Sequence, residues 1–370
     1  MSAPVSAPVR AAVKVAVVGA GSWGTAMAAM LSAKVPTTLW ARRPELAAAI
    51  KADGRNPDYL PDLRLPAPLR ATSSLAEALD GADVVVMAVP SHGFRGVLTE
   101  GRPHIGPTVP VVSLTKGVEQ VALRRMSEIV AELMPGQPFA VLTGPNLVDE
   151  IVAGQPTASV VATPDEDLAN QLQQLFTTGS FRVYTNPDVV GCELGGALKN
   201  VIAIAAGIAD GMGFGDNTRG AVVTRGLAEL ARLGVALGGE PVTFSGLTGM
   251  GDLVATCTSR HSRNRWVGEQ LSKGHSLADI VAGTRMVAEG VRTSAAVVEL
   301  AARVGVEMPI AEQVVAVLHH GKPPAEAVPL LMGRGAKPEF SPGAPSGGIS
   351  PALPVSHTAP SQIRGRTIRA

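Results

Sequence analysis

Lys199 stands in the run Glu193-Leu194-Gly195-Gly196-Ala197-Leu198-Lys199-Asn200-Val201-Ile202. The run has a helical pattern in which Leu194, Leu198, Val201, Ile202, Ala205 and Ile208 share one apolar face. Gly195 and Gly196, one turn earlier, cost a helix roughly 1 kcal/mol each relative to alanine. Close approach of a ligand or another backbone is a reason for that cost. An amine partly withdrawn from water beside such a face has its pKa lowered towards neutrality, where it can give and take a proton. The structural alternative is a lysine snorkelling at a helix edge. A second chemistry lies in Gly19-Ala20-Gly21-Ser22-Trp23-Gly24. Gly19 permits a tight turn, Gly21 removes the Cβ that would block a pyrophosphate, and Gly24 lets the following helix pack against the preceding strand. Ser262-Arg263-Asn264 places a capping hydroxyl, a phosphate-matching guanidinium and an amide at one helix N-terminus, a concentration of anion-binding groups.

These groups need a scaffold, and the hydrophobic pattern describes one. Short continuous apolar runs at Val13–Val18, Thr37–Trp40, Val84–Val89, Val109–Leu114 and Phe139–Leu142 read as strands buried on both faces. Helical patterns at Thr25–Ala33, Pro44–Lys51 and Leu123–Leu133 separate several of them. This alternation predicts an α/β fold with a parallel, doubly wound Rossmann-type sheet, which Ala158–Ala162 and Phe181–Tyr184 extend. The glycine turn ends the first strand and opens a helix, the context that gives a G-x-G-x-x-G its meaning. Arg42 and Arg43 end the second strand, where an acidic residue would bind a ribose 2′-hydroxyl. A guanidinium there suits a 2′-phosphate, so the sequence leans towards NADP(H), with NAD(H) still open; two solvated arginines starting a helix are the plainer reading. Beyond Pro187 the strand pattern gives way to helices. The expected division is a flexible stretch over 1–12, a dinucleotide-binding domain over 13–191, an all-helical substrate domain over 192–335 and a disordered Pro/Gly/Ser-rich tail over 336–370.

Composition narrows the function classes. The 32 basic and 31 acidic residues of this 370-residue chain leave a net charge of +1, which argues against a global attraction to nucleic acid or anionic lipid. Cys192 and Cys257 fit no zinc-binding spacing, so no metal site is expected and free thiols in a reducing compartment are the default. No run of about twenty uninterrupted apolar residues occurs; the best stretch, Val201 to Phe214, is cut by Asp210. The order of residues at the N-terminus, with Pro4, Pro8 and Arg10 ahead of the apolar stretch, is not that of a signal peptide. A cytoplasmic enzyme with no stable membrane insertion is the expectation.

Taken together, G-A-G-S-W-G-T (Gly19–Thr25), M-A-V-P-S (Met87–Ser91), T-K-G (Thr115–Gly117), T-G-P-N (Thr143–Asn146), G-A-L-K-N-V-I-A-I-A-A-G (Gly196–Gly207), G-x-G-D-L (Gly249–Leu253), S-R-N (Ser262–Asn264) and V-A-E-G-V (Val287–Val291) resemble bacterial NAD(P)-dependent glycerol-3-phosphate dehydrogenases. The resemblance runs from about Val13 to Arg334. It implies reduction of dihydroxyacetone phosphate to glycerol 3-phosphate by NAD(P)H, supplying a glycerophospholipid precursor, and it implies a homodimer. It makes Lys199 the acid/base on the C2 oxygen, has Lys116 contact both substrate and coenzyme, and has Asp252 touch the substrate and orient Lys199. A helix-capping aspartate is the structural alternative for Asp252. On the substrate side the resemblance adds Gly144, Asn146, Asn200, Ser262, Arg263 and Asn264. On the coenzyme side it adds Ser22, Trp23, Val148, Val287 and Glu289, with Arg263 reaching both ligands. Asn146 and Leu147 depart from the family pattern of a small hydroxyl residue and then an aromatic; Asn146 can still hydrogen-bond, in a pocket of altered volume. Two other functions share this framework: a two-domain NADP-dependent hydroxyacid dehydrogenase, and a non-catalytic NADP(H)-binding regulator.

Overall fold

The β-rich runs pair into one eight-stranded sheet in a computed structural model that describes residues 13–283, 288–335 and 339. The strands are β1 (Val15–Val18), β2 (Thr37–Trp40), β3 (Arg70–Thr72), β4 (Val84–Met87), β5 (Val111–Ser113), β6 (Phe139–Thr143), β7 (Thr157–Ala162) and β8 (Phe181–Asn186). Their order is β3-β2-β1-β4-β5-β6-β7-β8. The chain thus reverses direction across the sheet between β1 and β4, and a crevice opens at the carboxyl ends of these two strands. Alternation within β1 shows why these strands read as continuous apolar runs. Val15 and Val17 enter the core on one face, while Ala16 and Val18 enter the core on the other.

Seven helices accompany the sheet: α1 (Ser22–Ser32), α2 (Pro44–Asp53), α3 (Leu75–Leu79), α4 (Ser91–Gly101), α5 (Met126–Leu133), α6 (Val148–Val152) and α7 (Glu166–Phe176). The sheet is mixed, which corrects the expectation of an all-parallel one: β6 and β7 are antiparallel, and every other pair is parallel. Residues 144–156, which include the five-residue α6, turn the chain back so that Val160 of β7 pairs with Thr143 at the end of β6. Strand β3 escaped the sequence reading because Arg-Ala-Thr at a sheet edge has no buried apolar run.

Among the described residues nine further helices follow: α8 (Val189–Gly211), α9 (Asp216–Ala236), α10 (Pro241–Ser245), α11 (Asp252–Thr258), α12 (Arg263–Ser272), α13 (Leu277–Ala282), α14 (Glu289–Arg303), α15 (Pro309–His319) and α16 (Pro324–Met332). Asp188 caps α8, its Oδ1 accepting the Gly191 N–H at 2.7 Å. The expected single apolar face of this helix is an underestimate. Leu194, Leu198, Val201, Ile204 and Ile208 enter one core, and Ile202, Ala203 and Ala206 enter another on the opposite side. Being wrapped on all sides, α8 is the one described helix long and apolar enough to cross a membrane, yet 83% of its most apolar window is buried inside the protein. Sheet and helices pack within one unit that ends at Gly335. The expectations for 1–12, for the tail over 336–370 (Glu339 apart) and for Val287 fall outside the described residues.

Candidate active site

The glycine turn leaves β1 with Gly19 at φ +119°. A Cβ on Gly24 would sit 1.9 Å from the Gly19 carbonyl oxygen, so only glycine allows α1 to start this close to the strand. Nothing lies within 4 Å of where a Gly21 Cβ would be, which leaves an open approach. No side chain caps α1 at Gly21, and its first N–H groups, those of Ser22 and Trp23 included, stay available to an anion. Buried Asn56 braces the turn, its Nδ2 donating to the Ala20 carbonyl at 2.9 Å and to Thr25 Oγ1 at 2.8 Å. These features fit a dinucleotide.

At the end of β2 the two arginines diverge. Arg43 flanks the start of α2 and its guanidinium is bonded to Asp58, a partner that neither reading of the arginine pair included. Arg42 is exposed and makes no ion pair with the described residues. Desolvation and the neighbouring Arg292 and Arg42 hold the His92 imidazole below its usual range, which marks a positive potential at this side of the crevice.

Lys199 does not snorkel, being only 6% exposed. Its Nζ donates to Asp252 Oδ1 at 2.7 Å and to Thr256 Oγ1 at 2.5 Å. The other carboxylate oxygen, Asp252 Oδ2, accepts from Lys116 Nζ at 2.5 Å, and Lys116 also donates to the Gly144 carbonyl at 2.8 Å. One buried carboxylate thus bridges two ammoniums. Burial alone would raise the Asp252 pKa, but Lys116 and Lys199 outweigh it and hold the group below the usual carboxylate range. Burial pulls Lys116 down to about 8, with Asp252 opposing the shift and Lys199 reinforcing it. Capping is not the role of Asp252: Gly251 flanks the start of α11, and the carboxylate faces the lysines. The glycine pair in α8 serves the same cluster. A Cβ on Gly195 would lie 2.5 Å from the Thr248 carbonyl oxygen, and one on Gly196 would lie 2.9 Å from Thr143 Oγ1 and 3.5 Å from Lys116 Cγ. The close approach expected there is therefore made by the protein itself. It lets α8 meet the π-helical turn Leu247–Gly251 that delivers Asp252.

Ser262 caps α12, its Oγ accepting the Arg265 N–H at 3.3 Å. Arg263 follows as the first helical residue, exposed and without an ion pair among the described residues. Asn264 is largely committed to the protein. Its Nδ2 donates to Asn200 Oδ1 at 2.9 Å, and its Oδ1 accepts the Gly290 N–H at 2.9 Å, tying α12 to α8 and α14. Glu289 opens α14 and accepts from Ser91 Oγ at 3.1 Å, while burial pushes its carboxyl pKa up. Val148 opens α6. Asn146 Nδ2 donates to Ser159 Oγ at 3.2 Å. Among the described residues, four buried side-chain polar atoms lack any partner: Trp23 Nε1, Thr143 Oγ1, Asn146 Oδ1 and Thr293 Oγ1. Thr143 adjoins Gly196, and Thr293 adjoins Gly117. Such atoms need an explanation in a native fold, and here they occur in the glycine turn and beside the lysine cluster. Lys116, Gly144, Lys199 and Asp252 are thus in direct contact, whereas Arg42 and Arg263 make no contact with that cluster. The sequence reading missed Thr256; its position one turn after Asp252 on α11 was the available signal.

Two family models match the chain: "NAD-dependent glycerol-3-phosphate dehydrogenase N-terminus" over residues 14–169 and "NAD-dependent glycerol-3-phosphate dehydrogenase C-terminus" over residues 188–329. Glycerol-3-phosphate dehydrogenase [NAD(P)+] 2 of Sphingopyxis alaskensis is 58% identical over 302 residues, 82% of this chain and 91% of the relative. The Streptomyces coelicolor glycerol-3-phosphate dehydrogenase [NAD(P)+] is 54% identical over 330 residues, 88% of this chain and 98% of the relative. Among solved structures, glycerol-3-phosphate dehydrogenase from Coxiella burnetii superposes with a TM-score of 0.84 at 38% identity, covering 87% of this chain and 99% of that one. A ketopantoate reductase from Ralstonia eutropha, at 18% identity and a TM-score of 0.57 over 85% of this chain and 100% of that one, shares the fold alone.

Proposed function

The chain belongs to the NAD-dependent glycerol-3-phosphate dehydrogenase family, and from that premise we propose that Lys199 is its general acid, paired through Asp252 with Lys116. The reaction is reduction of dihydroxyacetone phosphate to glycerol 3-phosphate with NAD(P)H. The nicotinamide coenzyme, when bound, supplies the hydride. The observation that carries the residue assignment is the Asp252 carboxylate shared by two ammoniums. As the C2 ketone becomes an alcohol, negative charge grows on its oxygen inside an apolar enclosure, where an unshielded alkoxide is costly. Lys199 Nζ, steered by Asp252 and Thr256, delivers the proton to that oxygen. Lys116, held by the Gly144 carbonyl, adds a second positive charge beside it. The unpartnered Thr143 and Asn146 atoms supply further hydrogen bonds to substrate. Arg263, exposed beside the Ser262 cap, matches the substrate phosphate and also reaches the coenzyme, while Glu289 and Val148 border the coenzyme crevice. Asn200 and Asn264 brace the helices that carry these groups. Residues 13–191 then carry most of the coenzyme contacts and 192–335 the general acid and the phosphate-matching Arg263, with each half also lending residues to the other ligand. A cytoplasmic homodimer belongs to this reading, and light scattering on purified protein checks the subunit number. A regulator that never turns over would need no such lysine pair.

Lys199→Ala is expected to cut turnover by about a hundredfold or more, the scale of a lost general acid, with coenzyme affinity little changed. Steady-state kinetics alongside coenzyme titration reads both, and near-normal turnover would remove Lys199 from its role. The pH dependence has a definite sign. The Lys116 ammonium, held at about 8, is charged below that pH and neutral above it. Ketone reduction needs the cluster protonated, so kcat is level below about pH 8 and falls above it, with the limb belonging to the coupled cluster rather than to one lysine. A reduction rate that climbs through pH 8 would contradict this. Arg42, the free guanidinium after β2, is assigned to the coenzyme 2′-phosphate. Arg42→Gln is expected to raise the KM for NADPH about tenfold, as loss of a charged phosphate contact implies, and to leave that for NADH unchanged; equal effects would return Arg42 to the solvated surface.

A further inference from the structure

Glu193 is a buried charge that the chemistry above does not use. It lies on α8, six residues before Lys199, and is 6% exposed. Its carboxylate turns towards the sheet half rather than to either lysine of the cluster. Oε1 accepts the Ser127 backbone N–H at 2.9 Å, and Oε2 accepts from Arg125 Nη1 at 2.9 Å and from Ser127 Oγ at 2.5 Å. Arg125 flanks the start of α5 and Ser127 is its second residue. A carboxylate carried by the catalytic helix therefore sits at the positive end of a helix from the coenzyme-binding half. Burial pushes the Glu193 pKa up, against the pull of Arg125 and Ser127. A buried ion pair is a weak source of net stability, so the question is what this one positions.

The segment it secures runs from Leu114, past β5, to Arg125, and it carries Lys116. One end is tied inside the site by the two Lys116 bonds. The other end is tied by Arg125 and Ser127 to Glu193. Between these ties, Val118 and Leu123 pack against Ala197 of α8 and Ala296 of α14. Leu123 holds φ +55°, a conformation that a leucine keeps only where its surroundings impose it. Glu193 and Ala197 lie one turn apart on the same face of α8, so this face grips the segment at two points while Lys199 projects elsewhere from the same helix.

We propose that Glu193 is a positioning residue for Lys116: by capping α5 from the catalytic helix, it locks the Lys116-bearing segment in register with Lys199, so that both amines reach the one Asp252 carboxylate. This rests on the assignment of Lys116 and Lys199 to the reacting cluster, and the experiment separates the two ideas.

Steady-state kinetics and NADPH binding are measured on the full chain for Glu193→Ala, Glu193→Gln and Lys116→Ala. Glu193→Ala is expected to lower kcat about tenfold, as a misplaced catalytic group does. NADPH affinity should stay within about twofold, since the loss falls on the reaction rather than on coenzyme binding. The alkaline limb should move up from near pH 8 towards the ordinary lysine value of 10.5, because water reaches a Lys116 otherwise faced by Asp252 and Lys199. Glu193→Gln still accepts the Ser127 N–H and should recover kcat to within about threefold of the parent, as retained positioning requires. If the alanine variant does not fold, Ser127→Ala removes one donor and keeps the charge pair, and should shift the limb in the same direction with a smaller loss. A folded Glu193→Ala enzyme with unchanged kcat and unchanged limb, only melting earlier, overturns the proposal, as does a glutamine variant no better than alanine. Normal turnover in Lys116→Ala overturns the cluster assignment itself, and the positioning role with it.

Discussion

Two ammoniums and one carboxylate, buried together, set the terms for the rest of this molecule. Placed side by side in a poorly solvated enclosure, Lys116 and Lys199 repel each other, and each has given up water. Asp252 between them offsets both penalties, one oxygen to each amine. Its own burial would favour the neutral acid, and only the paired lysines keep it charged. The balance is conditional. Removing Asp252 leaves two buried ammoniums uncompensated, which the interior tolerates poorly, so both lysines depend on that one carboxylate and the backbone that brings the three groups together has little freedom.

That backbone comes from three places: the segment after β5 brings Lys116, α8 brings Lys199, and the π-helical turn before α11 brings Asp252. The small residues of α8 let these parts converge. With Gly195 against the Thr248 carbonyl and Gly196 against Thr143 and Lys116, the helix comes closer to its neighbours than any side chain would permit. The helix stability lost at those glycines is recovered from burial on every side of α8, which is why this segment is so apolar without being a membrane span.

Much of this was legible in the chain. The continuous apolar strands, the glycine turn in its strand-to-helix setting and the Ser262 cap each rest on local geometry, so residue type and spacing were enough. Lys199 was legible as an amine among apolar neighbours. Asp252 was legible as its partner only through the motif resemblance, and Thr256 was not legible at all, because both reach it across more than fifty residues through a fold that no local pattern encodes. The fate of Arg43, diverted to Asp58, depends on a loop contact fifteen residues away. Asn264 looked like an anion ligand from its place beside Arg263, but tertiary packing turned its amide towards Asn200 and Gly290. The antiparallel β6–β7 pair was not legible, because a continuous apolar run such as that of β7 carries no sign of the direction in which its strand runs.

Turnover of the Asp252→Asn enzyme, measured with dihydroxyacetone phosphate and NADPH beside a coenzyme titration, bears most directly on the shared carboxylate. An amide keeps the shape but cannot balance two ammoniums. The account requires a fall in kcat of about a hundredfold or more with coenzyme affinity preserved. An asparagine variant that turns over at close to the parent rate would show that the lysines do not depend on that negative charge.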